Sequence, residues 1–131
     1  MRNVAVVTSR NACELLVRAD AEAAVGQVLP QNTVKNVELG MCDYNTSDFS
    51  AGASLSVSSW DSIKAAATSG AHQPATVAGV GDEALGLRGL LYVRRGNEGF
   101  LLDLHGPNID RLPDHGLAAE KNLALKILGK F

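Results

Sequence analysis

Residues 12–25 are rich in Ala, Leu and Glu and contain no Pro or Gly, which is helix-forming composition. Asn11 stands where an N-cap belongs, Gly26 where a left-handed residue would end the helix, and Pro30 follows shortly after. A break near Val17 and Arg18 is expected to divide this helix into a short turn and a longer piece. From residue 34 to residue 44 the pattern changes to period two, the signature of a strand. Val37, Leu39 and Met41 fall on one face, Cys42 and Tyr44 on the other. A bulge at Gly40 would bring Cys42 and Tyr44 into the core, and that arrangement is expected. Residues 45–52 are polar and read as a turn. Residues 53–60 alternate again, with Leu55 and Val57 inward and Ser54, Ser56 and Ser58 outward.

Asp61 is expected to cap a short helix that runs to about Ser69 and stops at Gly70. Pro74, Gly79 and Gly81 mark residues 71–81 as loop. Strands are expected over residues 83–88, 89–95 and 99–105, with Gly96-Asn97 supplying hairpin-turn chemistry. Phe100, Leu102 and Leu104 share one face of the last strand, and Leu101, Asp103 and His105 share the other. Gly106-Pro107-Asn108 ends it. A final helix is expected over residues 114–129, its buried stripe made by Leu117, Leu123, Ala124, Ile127 and Leu128, with Asn122, Lys126 and Lys130 opposite.

This order predicts an α+β fold: a largely antiparallel sheet of about five strands, covered by an N-terminal helix, a short middle helix and a C-terminal helix. The 131 residues suit one domain, expected over residues 11–131, with residues 1–10 as an N-terminal extension. Hydrophobic residues make up 46% of the chain and charged residues 20%, so the composition is that of a folded globular protein. The formal charge is only −2, with both signs interspersed. No strong field is available to hold a polyanion, and with so few aromatic residues nucleic acid is not an expected partner. The only basic pair, Arg94-Arg95, falls at an expected hairpin end, where a solvated turn accounts for it. No apolar run reaches the roughly 20 residues of a membrane span, so contact with a membrane is expected only through an anchor outside this segment.

Cys13 and Cys42 are the two cysteines. Their spacing fits no Cys-x-x-Cys redox or zinc pattern, and it leaves open inert thiols, a disulfide, or half of a metal site. The run Gly79-Val80-Gly81-Asp82-Glu83-Ala84 has the look of a phosphate loop, but the third glycine of a dinucleotide fingerprint is displaced to Gly86 and a strand is expected to follow. Gly79, Gly81, Asp82 and Glu83 are therefore read as a structural turn beside a potential cleft. Asp103 and His105 project from one strand face two residues apart, and Asp114 and His115 lie nearby in sequence. Asp103, His105 and His115 form the candidate polar site, because carboxylates and imidazoles are the groups of acid–base and metal chemistry. The bland alternative is a solvent-facing strand side followed by a helix cap. His72 stands alone in a loop. No Gly-x-Ser-x-Gly elbow is present, and no metal or cofactor is expected.

Taken together, the helix from Asn11-Ala12-Cys13-Glu14-Leu15-Leu16 to Gly26, the Cys42-Asp43-Tyr44 triplet, the Gly79–Ala84 turn and the Leu91-Tyr92-Val93 strand before Arg95-Gly96 resemble a broad group of small bacterial exported proteins, many of them predicted lipoproteins of unknown function. The resemblance runs from Asn11 to the last helix. Val17 departs from it, standing where the group carries a helix-capping Thr, and no leader or lipobox is visible in the segment. The resemblance implies a Cys13–Cys42 disulfide and an extracytoplasmic location in the periplasm or cell envelope. It implies no activity. The expected function is a non-catalytic binding or interaction module for a small or lipidic ligand or a cell-envelope protein. The alternative is an unrecognised hydrolase or metal-dependent enzyme using Asp103 and His105.

Overall fold

A computed structural model describes residues 11–32 and 40–131. At its start the Asn11 side chain accepts a hydrogen bond from the Cys13 N–H (3.0 Å) and opens helix α1, Ala12–Leu15. Leu16 and Val17 are extended, and helix α2 follows over Arg18–Val25. Val17 supplies no side-chain cap, as a branched apolar residue must fail to do. Gly26 ends α2 in the left-handed region (φ 83°), its N–H bonded to Glu22 O (2.8 Å). The expected break at Val17-Arg18 is thus present. It separates two helices, each of which buries small or branched side chains: Ala12 and Leu15 from α1, Ala21 and Val25 from α2.

Strand β1, Met41–Asn45, pairs antiparallel with β2, Gly52–Ser59. The expected earlier part of β1, including Val37 and Leu39, lies outside the described residues. Gly40 stands just before β1 with φ 62°, and its carbonyl accepts from the Val57 N–H (2.8 Å). Cys42 and Tyr44 face the core while Met41 is exposed. In β2 the alternation is as expected, with Leu55 and Val57 buried and the intervening serines only partly covered.

Helix α3, Trp60–Thr68, is capped by Ser59 and not by Asp61. The Ser59 backbone is still extended, which lets its hydroxyl accept from the Ser62 N–H (3.2 Å), whereas Asp61 already lies in the first turn. Trp60 is accordingly helical and does not end the strand. Its ring covers Gly99, where an added Cβ would lie 2.7 Å from the indole.

Within the stretch expected to be loop, Ala75–Thr76 forms a two-residue strand, β3, paired to β4, Glu83–Leu87. Both β3 residues are exposed, so no hydrophobic alternation announces them. Strand β5, Leu90–Arg95, and strand β6, Glu98–His105, complete a meander. The β4–β5 turn is Arg88-Gly89, both with positive φ (26° and 79°). A four-residue helix α4, Pro107–Asp110, follows Gly106, with proline in the first turn where its missing N–H costs nothing. Helix α5 spans Leu117–Leu128, starting three residues later than expected.

The six strands of the described residues form one antiparallel sheet in the order β1-β2-β6-β5-β4-β3. The α+β class and antiparallel sheet are as expected. Among the described residues six strands replace about five, because β3 is too short to leave a periodic pattern, and five helices replace three, because α4 is likewise too short and the N-terminal helix is divided at the expected break. One sheet face carries Leu55, Leu91, Val93, Phe100 and Leu102 into a core shared with α1, α2 and α5. The other face holds a smaller cluster, Tyr92 with Trp60, Ile63 and Ala67 of α3. A disulfide joins Cys13 of α1 to Cys42 of β1, with Cα atoms 5.1 Å apart.

Candidate functional site

The Gly79–Glu83 turn is held by the neighbouring hairpin. Asp82 accepts from the Gly96 N–H (2.7 Å), and its own N–H bonds to Arg94 O (2.8 Å). Glu83 pairs with Arg94 at 3.4 Å. Gly81 has φ 62°, and a Cβ there would sit 2.5 Å from Arg94 O, so only glycine fits. Gly79 is left-handed in open space. Gly81 and Asp82 line an open depression beside the end of α5, with Arg95, Leu125, Leu128 and Gly129. Asp82 and Glu83 are thus engaged in fastening the turn to β5 and to the β5–β6 connection.

Asp103, His105 and His115 line a single cleft of about 210 Å³, together with Arg88, Ile109 and Asp110. Asp103 and His105 come from the end of β6. His115 arrives in the segment between α4 and α5, its own backbone left-handed at φ 54°. No hydrogen bond joins these three residues to one another, and among the described residues no group of three His, Cys, Asp or Glu could hold a metal ion. The strand side is not simply solvent-facing: burial raises the pKa of Asp103, and the nearby His105 only partly offsets this. Asp114 does behave as a cap. Its carboxylate accepts from the Ala118 N–H (3.0 Å) and the Gly116 N–H (2.9 Å), and these bonds lower its pKa. His72 is exposed.

A second cleft of about 170 Å³ adjoins the first, sharing Arg88, Gly89 and His115 with it. Val77, Leu87, Leu90 and Leu117 give it an apolar side, and Thr76, Arg88, Asp114, His115 and Glu120 supply its polar and charged lining. Glu120 projects from the first turn of α5 and is 1% exposed. Among the described residues, only Asn45 and Glu120 are buried polar or charged residues. No hydrogen bond reaches Glu120 Oε2. Desolvation first, then the charges of Asp103 and Asp114, push its pKa up to about 8. The carboxyl is therefore mostly protonated at neutral pH.

Glu120 was not among the expected site residues, although the signal was present. Counting back from Ala124 by four and from Leu123 by three lands on Glu120, so it interrupts the buried stripe of the final helix. A carboxyl on such a stripe is desolvated unless something pairs it. The adjoining clefts thus combine acid–base groups at the sheet end with a buried carboxyl whose Oε2 has no hydrogen-bond partner, beside the apolar side chains of Val77, Leu87, Leu90 and Leu117. That arrangement can hold a compact molecule and recognise one polar group on it. No family model matches the chain, and none of the curated proteins or solved structures compared with it matches significantly.

Proposed function

We propose that this chain is a non-catalytic extracytoplasmic binding module that takes a small molecule in the paired clefts under the β4–β5 turn. The observation that carries this reading is Glu120: a buried carboxyl with an unbonded oxygen, lining a cleft that also presents Val77, Leu87, Leu90 and Leu117. A buried polar group without a partner costs free energy of order 1–3 kcal/mol, and a ligand that supplies the partner recovers it. The cleft volumes favour a small ligand over a lipidic one, since pockets for drug-sized molecules run from about 300 Å³ upward. The disulfide fits an oxidising compartment, which supports the envelope location implied by the resemblance to exported proteins. Among the described residues no helix is long and apolar enough to cross a membrane.

The enzyme alternative has one observation in its favour, the common cleft of Asp103, His105 and His115. These side chains do not bond to one another, and among the described residues no serine, threonine or cysteine side chain lines that cleft.

The test is amide NMR of the oxidised protein titrated with a library of ring-sized compounds. Binders are expected to shift residues 86–90 and 114–120 together. Binders that gather elsewhere, or none at all, would overturn the assignment of this site. Turnover of ester or amide probes that is lost in Asp103→Asn and His105→Ala would instead establish the enzyme.

A further inference from the structure

The identity of the group that Glu120 awaits can be argued from its surroundings, on the premise that the clefts bind a small molecule. The charged and titratable groups around it are few. Asp103 reaches it from β6 and Asp114 from the segment before α5, both by charge. Arg88 of the β4–β5 turn and His115 line the same cleft. Strands β3, β4 and β5 contribute only Ala75, Thr76, Gly86, Leu87 and Leu90 to its walls. Among the described residues no Lys, Arg or His forms an ion pair with Glu120, and the two carboxylates whose charges act on it make its position favourable to positive charge.

We propose that the Glu120 cleft binds a primary ammonium on a compact apolar body, with the ammonium on the Glu120 carboxylate and the body against Leu87, Leu90, Val77 and Leu117. Three N–H donors would meet the carboxylate, giving charge-assisted hydrogen bonds in a site with little competing water. An anionic ligand could pair with Arg88 on the cleft wall. At Glu120 itself it would face a neutral carboxyl offering one O–H, with Asp103 and Asp114 repelling it. Size selects the body: a cavity of about 150 Å³ holds a benzene ring, so the 170 Å³ here suits one six-membered ring or a short chain. Binding to a protonated carboxyl releases one proton to solvent per ligand.

The experiment compares cyclohexylamine, cyclohexanol and cyclohexanecarboxylate by amide NMR between pH 5 and 9, with the oxidised protein and its Glu120→Gln variant. An alkyl ammonium stays charged across this range, as lysine does with a pKa of about 10.4. Cyclohexylamine is expected to bind best, shifting residues 86–90 and 114–120. Its affinity should rise about tenfold per pH unit up to pH 7 and level off near pH 8, as proton release from a carboxyl of pKa about 8 requires. Glu120→Gln should weaken it at least tenfold at pH 8 and abolish the slope. Equal or better binding of the alcohol or carboxylate at the same residues would overturn the ammonium assignment and leave the cleft as a binding site. A flat pH profile for the amine would also overturn it. No perturbation of these residues by any of the three would remove both.

Discussion

Replacing Cys13 and Cys42 together by alanine is expected to lower the unfolding free energy by about 3–4 kcal/mol. The bond links residues 29 positions apart, and a closed loop of that size removes about this much conformational freedom from the unfolded chain. The native side of the balance points the same way. Helix α1 has four residues, far too few to persist without tertiary contacts. It packs on β1, and the covalent link holds it there. Urea denaturation of the oxidised protein, the reduced protein and the double variant would measure the effect. Reduction and substitution should agree closely, since both remove the same cross-link. A loss under 1 kcal/mol in both would mean that the packing of Leu15 and Leu16 alone holds α1 in place. The size of the expected loss bears on location as well, because a reducing compartment would withdraw it.

The second large effect is a dependence of stability on pH carried by Glu120. Its pKa is about 8 in the folded protein, against 4.5 in an unfolded chain. Between these values the folded state keeps a proton that the unfolded state has lost. Stability from this group is complete below pH 4.5, falls as pH rises toward 8, and is gone above it. The gap corresponds to several kcal/mol, by order of magnitude about 5. Asp103, also raised by burial, adds to the same trend. Glutamine cannot ionise, so Glu120→Gln should flatten the profile. The difference in stability between variant and parent is expected to move by about 2–4 kcal/mol in favour of glutamine between pH 5 and pH 9. Parallel urea midpoints for the two proteins across that range would show that Glu120 is already ionised in the fold.

Much of the fold was legible because its signals are periodic. Leu55 and Val57, or Phe100, Leu102 and Leu104, alternate with residues of lower burial, and a pleated strand with one face on a core leaves this trace. Gly26 and Gly96 marked ends and turns through the backbone angles they permit. Where the trace was short, it failed. Ala75–Thr76 holds its place by pairing with Leu85 and Gly86 of β4, which two exposed residues cannot announce. Pro107 after Gly106 was a helix-start signal, but four residues give no amphipathic stripe to support it. At the cap of α3 a local rule favoured Asp61, whereas the change of backbone direction fell at Ser59. The candidate site divides in the same manner. Asp103 and His105 share a strand face by parity alone, so their proximity could be read. That His115 enters the same cleft depends on the path of residues 106–116, and that Glu120 is desolvated depends on what lies above it. Both are tertiary facts.

The strand order also bears on how the chain reaches its native state. Strands β4, β5 and β6 are neighbours in sequence and in space, joined by turns of two residues, whereas β2 must find β6 across all of α3 and the meander, with Gly52 opposite His105 and Ser59 opposite Glu98. Closing such a distant pair is slow relative to local hairpin formation. We infer that the meander assembles first, that the docking of β2 on β6 sets the barrier, and that β1 adds afterwards. Val93→Ala in β5 is then expected to slow refolding, while Tyr44→Leu in β1 should mainly hasten unfolding; stopped-flow kinetics showing the reverse would place the nucleus in the N-terminal half. On this route the edge that α1 and the disulfide come to secure is the last part of the sheet to acquire a barrier against opening.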